Sequence, residues 1–468
     1  MTLISYKAAR GKRLEFGDFQ TPAALAETTV RHVHEQGFRP RSVLEPTCGQ
    51  GSFIRAALHQ FPLLERVVGV DRNAEYLSEL SGADRRIELI EADCFAINWK
   101  QCIASLPQPL LILGNPPWVT SSRLGVLESG NAPARESTAV QRGLDALTGK
   151  SNFDVSEWLL LQWIDAMQGL DARMVMLVKS SVARRIMVHL ANGNLGATTI
   201  PIDAKKYFGA AVSACLLDVH AAGPRLATHK GLLISNQTLF ERRKHLAATE
   251  RINWRSGIKH DAAKILELTA LGNDHYRNGF AEIVKLEGNH LYPLLKSSDL
   301  SRTVVPLPRR MLLVPQLKTS APTANIAPQT LAYLESHSAI FDARASSVYK
   351  RAPRFAIFGV GDYTFAPWKV ATSCLHKNFR FHVIGPIDGK PVVFDDASAF
   401  LSLESQVQAE QAARLFNSIP ASEFWESLVF WDAKRPITIE LLRTLSLQKL
   451  ILNSVCLWPT SEFIRNSL

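Results

Sequence analysis

No Cys-x-x-Cys pair occurs in this chain; its six cysteines, at 48, 94, 102, 215, 374 and 456, are scattered. That argues against a zinc site and for a reducing compartment. None of the six follows a proline, so the nucleophile arrangement used to methylate a pyrimidine ring carbon is missing. A signal-like N-terminus and a long uncharged apolar run are also absent, so the expectation is a soluble, cytoplasmic chain that makes no use of a membrane. His32 and His34 lie too far apart on a helix face to chelate, and no metal is expected. No nuclease motif stands out. Acidic residues are in short supply, 43 against 53 Lys and Arg, and the shortage is local. Residues 1–220 carry 23 basic and 22 acidic side chains, a net of +1; residues 221–468 carry 30 and 21, a net of +9. A near-neutral half joined to a basic half suits an enzyme of nucleic acid, with binding that weakens steeply in salt. At 468 residues, two or three domains are expected.

What is present is most informative at Asn115-Pro116-Pro117-Trp118, directly after the apolar run Leu110–Gly114. The pattern predicts a strand that delivers an amide, two rigid prolines and an aromatic plane to its C-terminal edge, where open α/β sheets bind ligands. The group suits methylation of a planar amino group. The lone pair of an exocyclic NH2 on adenine or cytosine is delocalised into the ring. Two acceptors that hold its N–H bonds out of plane localise that pair. The Asn115 side-chain oxygen and the Pro116 carbonyl can be those acceptors, since proline fixes the turn. Trp118 offers a face for stacking. No general base is required, because the methylated amino group becomes acidic; in-line positioning of a sulfonium methyl carries most of the catalysis.

Upstream, Ser42–Glu45 reads as a strand that ends in an acid, followed by Pro46-Thr47-Cys48-Gly49-Gln50-Gly51 and a helix over Ile54–Gln60. Glycines allow close backbone approach to a ligand. The third glycine of the dinucleotide fingerprint is missing, and an acid in the turn repels phosphate but suits a cationic ligand. S-adenosylmethionine, with its ammonium and sulfonium, is such a ligand. The next strand, Val67–Val70, ends in Asp71, placed to bind ribose hydroxyls. A third, Ile87–Ala92, ends in Asp93-Cys94-Phe95, where Asp93 can accept the cofactor's adenine amino group with Phe95 alongside the ring. Thr21-Pro22 opens a helix over Ala23–Val33. Four successive βα units thus carry polar strand ends toward one sheet edge.

These residues together resemble the gamma-class amino-methyltransferases of DNA, best known as the N6-adenine enzymes of type II restriction–modification systems. The matching segments are Asp18–Pro22, Leu44–Gly51, Gly114–Trp118 and Gly149–Asp154, with the strand Met174–Lys179 in the expected place. The resemblance implies an α/β fold with a doubly wound, mostly parallel sheet, followed by a mixed α+β target-recognition domain. It implies Thr21, Glu45, Thr47, Cys48, Gly49 and Gly51 at the methionine end of S-adenosylmethionine, with Asp71 at its ribose and Asp93 at its adenine. Asn115 and Pro116, carried on the turn with Pro117, would hold the target amino group, and Trp118 would stack on the base. Tyr207–Ala214 resembles the segment whose phenylalanine lies on the other face of that base, which points to Phe208. Tryptophan at 118 departs from the more usual Tyr or Phe. The expected substrate is double-stranded DNA whose adenine is flipped out for methylation at N6, and the expected partner is a separate cognate restriction endonuclease. A monomer is expected. Three other readings stay open: N4-cytosine methylation of DNA, amino methylation of ribosomal RNA or of a protein glutamine, and a DNA-binding specificity module with a decayed catalytic fold.

Residues 119–150 form a long polar connection, expected to be a lid over the target base with Arg123, Arg135 and Arg142 near phosphates. Asn152–Leu170 reads as an amphipathic helix, and the strand 214–220 is expected to close the sheet. Ala221-Ala222-Gly223-Pro224 marks the expected boundary between a catalytic domain, 1–221, and a target-recognition domain, 222–468. Beyond it, Trp254–Asp261 precedes an expected helix over Ala262–Leu271. Ser346–Val370 interleaves Lys350, Arg351, Arg354 and Lys369 with aromatics. The aromatics are assigned to the core and the four cations to DNA. The tail from Ser402 is helical in pattern.

Overall fold

The computed structural model describes residues 20–119, 154–191, 193–225, 227–250, 252–316, 326–344, 346, 348–349 and 352–453. The chain divides into two compact units, Met1–Leu233 and Ile234–Leu468. The division falls after the Ala221–Pro224 segment, because a small hairpin, β8 (Thr228–His229) with β9 (Leu232–Leu233), groups with the first unit.

The first unit is built on seven strands: β1 (Ser42–Glu45), β2 (Arg66–Asp71), β3 (Ile87–Glu91), β4 (Leu110–Gly114), β5 (Ala172–Lys179), β6 (Gly196–Ile202) and β7 (Ala214–His220). Their order is β3-β2-β1-β4-β5-β7-β6. The first five are parallel, and β7 runs antiparallel to both β5 and β6. Strands β1 and β4 are buried along their whole length, which is why Val43-Leu44 and Leu110–Leu113 run apolar without alternation. The chain winds outward from β1 to β3, then returns to place β4 on the other side of β1. A crevice opens at such a reversal, outside the carboxyl ends of the strands. Helix α1 (Ala23–Glu35) packs Leu25, Ala26, Val30 and Val33 into the same core as Phe53, Ile54 and Ala57 of α2 (Ser52–Gln60).

One sheet expectation is corrected. Strand 214–220 does not close the sheet; it is inserted between β5 and the edge strand β6. A buried charge pair ties β5 to β7 there: Arg173 donates to both oxygens of Asp218 at 2.9 and 2.5 Å. His32 of α1 lies 3.4 Å from the same carboxylate, a structural use of that histidine.

The second unit holds two further sheets. One has the order β10-β19-β16-β17 and the other β13-β12-β11-β15-β14-β18. The strands are β10 (Arg255–Ser256), β11 (Glu267–Gly272), β12 (His275–Arg277), β13 (Ile283–Lys285), β14 (Leu291–Leu295), β15 (Arg310–Leu313), β16 (Trp368–Ser373), β17 (His382–Ile384), β18 (Val393–Phe394) and β19 (Ser398–Leu403). The expected helix 262–271 is corrected to a single turn, Ala263–Leu266, that runs directly into β11. The apolar run Ile265-Leu266-Leu268 satisfies either geometry. Pairing with β12 and β15 decides for the strand, which ends where Gly272, Asn273 and Asp274 all take positive φ. The tail is helical as expected, over Gln406–Phe416, Ile419–Glu426, Ile439–Leu442 and Leu447–Asn453. Among the described residues, no helix is long and apolar enough to cross a membrane.

Candidate active site

A cavity of about 470 Å³ lies at the carboxyl ends of the parallel strands in the first unit. It is lined by Glu45 at the end of β1, Asp71 at the end of β2, Asp93 after β3 and Asn115 after β4. Residues separated by as much as seventy positions are collected because parallel strands all end on one side.

Each acid is held differently. Glu45 is 3% exposed, and its Oε2 accepts the Ile54 N–H of α2 at 3.1 Å. Burial raises its pKa well above the usual carboxylate value, and the neighbouring Asp71 charge adds to the rise. Asp71 braces two turns: Oδ2 accepts Gly49 N–H at 2.8 Å and Oδ1 accepts Asn73 N–H at 2.9 Å. Gly49 has φ +50 and Gly51 φ +74, a backbone region open to glycine; a Cβ on Gly51 would meet Leu80 at 2.4 Å. Asp93 accepts Phe95 N–H at 3.0 Å through Oδ1. The Phe95 ring contacts Trp158 of α3 (Val155–Ala166), centroids 5.3 Å apart. Burial pushes the Cys48 thiol up strongly and the Cys94 thiol up to about 12, so neither is a thiolate at neutral pH.

The turn after β4 is divided between cavity and core. Asn115 and Pro117 line the cavity. Pro116 is buried, and Trp118 is 7% exposed, with its indole N–H donating to Leu177 O of β5 at 3.3 Å. Phe208, at the end of the short helix α4 (Ala204–Phe208), meets Trp118 edge to face, centroids 5.4 Å apart at 65°. The structure brings this aromatic pair together across ninety positions of sequence, as a closed contact and not as two parallel plates.

Sequence reasoning missed Gln20 and Tyr76 at the cavity. Gln20 accepts Gln50 N–H at 3.0 Å and so bridges the segment before α1 to the glycine turn. Its position next to Thr21 was the available signal. Tyr76 lies on a one-turn helix, Ala74–Ser78, whose capping residue Asn73 is two beyond Asp71.

The expected DNA contacts fare unevenly. Arg123, Arg135, Arg142, Lys350 and Arg351 lie outside the described residues, as does nearly all of the expected lid. Arg354 is exposed and paired with Asp342 at 2.9 Å. Lys369 is corrected: it is 1% exposed, and its ammonium donates to the carbonyls of Ala366 and Val392 at 2.6 and 3.0 Å. Burial lowers its pKa to about 7. A group enclosed in this way cannot reach a phosphate.

No protein-family model matches the chain. Over 94% of its length, however, it is 39% identical to the type II methyltransferase M.NspV of Nostoc sp. (strain ATCC 29411 / PCC 7524), 97% of which is covered. The chain belongs to the type II DNA methyltransferases. Its substrate is DNA and its cofactor is S-adenosyl-L-methionine. Among solved structures, the type IIL restriction–modification enzyme MmeI, determined in complex with DNA, aligns with 93% of this chain and 73% of its own, at 13% identity and TM-score 0.47. A modification subunit of a putative type I restriction enzyme from Vibrio vulnificus YJ016 aligns with 47% of this chain and 48% of its own, at 17% identity and TM-score 0.31.

The cavity of this methyltransferase fits that cofactor on its own chemistry. Four carboxylates, of Glu45, Asp71, Glu91 and Asp93, and one guanidinium, of Arg72, face it, an excess that suits a cation. The buried hydroxyl of Thr47 has no hydrogen-bond partner among the described residues and is available to a ligand.

Proposed function

We propose that this DNA methyltransferase modifies the exocyclic N6 of adenine, flipped out of the duplex. The observation that carries the reading is the placement of Asn115 and Pro117 on the wall of the cavity that also holds Asp71 and Asp93. The Asn-Pro-Pro-Trp turn resembles the gamma-class tetrapeptide, and its place on that wall supports a target amino group held beside a bound methyl donor.

When bound, S-adenosylmethionine supplies an electrophilic methyl on a positively charged sulfur. Thr21, Glu45 and the turn from Thr47 to Gly51 hold its methionine end. Asp71, which also lines the cavity, would take the ribose hydroxyls. Asp93 would take the cofactor's adenine amino group, with Phe95 beside the ring. Asn115 Oδ1 and the Pro116 carbonyl accept the two N–H bonds of the target, turning its lone pair toward the methyl.

Trp118 and Phe208 flank the target base. A ring held between two others needs them about 7 Å apart, twice the optimal carbon contact. One ring therefore moves when the base enters. Phe208 is the movable one, since it ends a one-turn helix at the left-handed Gly209, whereas Trp118 is tied to β5. Extruding a base costs on the order of a few kcal/mol, offset by stacking and backbone contacts. The first unit is the catalytic domain in this reading, and the second recognises the target. A separate endonuclease of the same site specificity is the implied partner.

The test is nucleoside analysis of DNA from cells that express the protein. N6-methyladenine at one sequence context is the expected product. N4-methylcytosine would overturn the base assignment while keeping the chemistry, and methyl label in ribosomal RNA or protein alone would overturn the substrate.

A further inference from the structure

We propose that the row Arg310–Thr269–Arg277, across three strands of the six-stranded sheet, is a contact site for DNA backbone phosphates. The inference rests on DNA as substrate, not on which base is methylated. In register, Thr269 of β11 is flanked by Arg310 of β15 on one side and by Arg277 of β12 on the other. Residues opposite one another in antiparallel pairs project from the same face, so the hydroxyl stands between two guanidinium groups whose backbones are about 10 Å apart. Both arginines are exposed, and neither has an acidic partner among the described residues.

The row borders an open depression of about 270 Å³ in the second unit. Lys264 and Lys296 add two more cations to it. Glu267, the one acid there, is already engaged by Lys296 at 2.6 Å and by His260 at 3.5 Å, so it does not answer the arginines. The depression is a built feature. Gly279 closes against Lys264, where a Cβ would lie 2.7 Å from the Lys264 Cα. The turn that follows Arg277 is locked by buried Asn278, which accepts the N–H groups of Phe280 and Glu282 and donates to the Tyr333 hydroxyl. Exposed guanidinium groups flanking a hydroxyl donor, without an acidic partner among the described residues, match the anionic oxygens of an extended polyanion.

The test is the salt dependence of binding by the full chain to a fluorescent duplex, with and without cofactor. Each phosphate contact contributes about 0.9 to the slope of log affinity against log salt. The double variant Arg277→Gln with Arg310→Gln is expected to lower the slope by about 1.8 and the affinity at 0.1 M salt by roughly tenfold or more. Arg277→Lys with Arg310→Lys keeps the charge and should keep the slope, which separates lost contact from lost fold. Removal of exposed charge elsewhere, by Arg242→Gln, should leave the slope alone. An unchanged slope in the double glutamine variant overturns the proposal. So does a loss confined to one duplex sequence, since that would mean the arginines read base edges. Cofactor affinity should stay constant throughout.

Discussion

The two units place their chemistry by different geometric rules. In the first, parallel strands end on a common edge, and each polar group sits at or just past the end of its own strand: Glu45 ending β1, Asp71 ending β2, Asp93 after β3 and Asn115 after β4. In the second, antiparallel strands set residues side by side across the ladder, so Arg310, Thr269 and Arg277 become neighbours only through register. The lesson is that a strand-end site can be read as a string of local motifs, while a sheet-face site cannot. Register has no local signature, because it depends on turns and on which strand pairs with which.

Perturbing the two units should bring out that contrast. The largest effect is expected from Asn115→Ala, which removes the proposed acceptor of the target amino group from a strand end. Methyl transfer should fall by roughly 10²–10³ or more, with cofactor and DNA binding retained in calorimetry and anisotropy. Turnover near the parent rate would break the strand-end account. Asp71→Ala comes next. It removes a charged acceptor of two backbone N–H groups, at 2.8 and 2.9 Å, and cofactor affinity should drop on the order of 10- to 100-fold. Unaltered affinity by titration calorimetry would place the cofactor elsewhere.

Gly279→Ala probes the face-built unit. Its Cβ meets backbone at 2.7 Å, and overpacking of this kind costs about 1–3 kcal/mol. Denaturant unfolding should report that loss, with cofactor affinity of the first unit unaffected. The smallest effect concerns Glu45. Its pKa is raised in the folded state by burial, so its protonated form is favoured on folding. The stabilisation is complete below the unfolded pKa and is lost as pH rises toward the folded one. Glu45→Gln should therefore raise the thermal midpoint of the cofactor-free protein increasingly as pH climbs above the usual carboxylate range. The advantage should vanish in acid. A pH-independent difference would mean that Glu45 is ionised without penalty.

Particular residues show where reading the chain stopped. The Asn115–Trp118 turn was legible because a buried strand, two prolines and an amide are adjacent in sequence. The helix over 262–271 was misread because the run Ile265-Leu266-Leu268 suits helix and strand alike, and partners β12 and β15 made the choice. Lys369 was assigned to DNA because it sits among other cations. Strand β16 is buried from Lys369 to Ser373, and the ammonium is held inside on two carbonyls. Tyr76 was overlooked because a tyrosine on a one-turn helix carries no signal until the fold brings it to the cavity.

By itself, the amino-acid sequence determined the parallel βα order of the first unit, the acids that line its cavity and the rigid Asn-Pro-Pro turn after β4. Those features follow from short-range patterns: apolar runs, helix starts, glycine turns and the residue that ends each strand. Only the tertiary structure decided the insertion of β7 within the sheet, the closed contact of Trp118 with Phe208 and the row Arg310–Thr269–Arg277 across β15, β11 and β12. Those depend on pairing between distant strands, and the hydrogen bonds that make such pairings are formed by backbone groups that every residue shares.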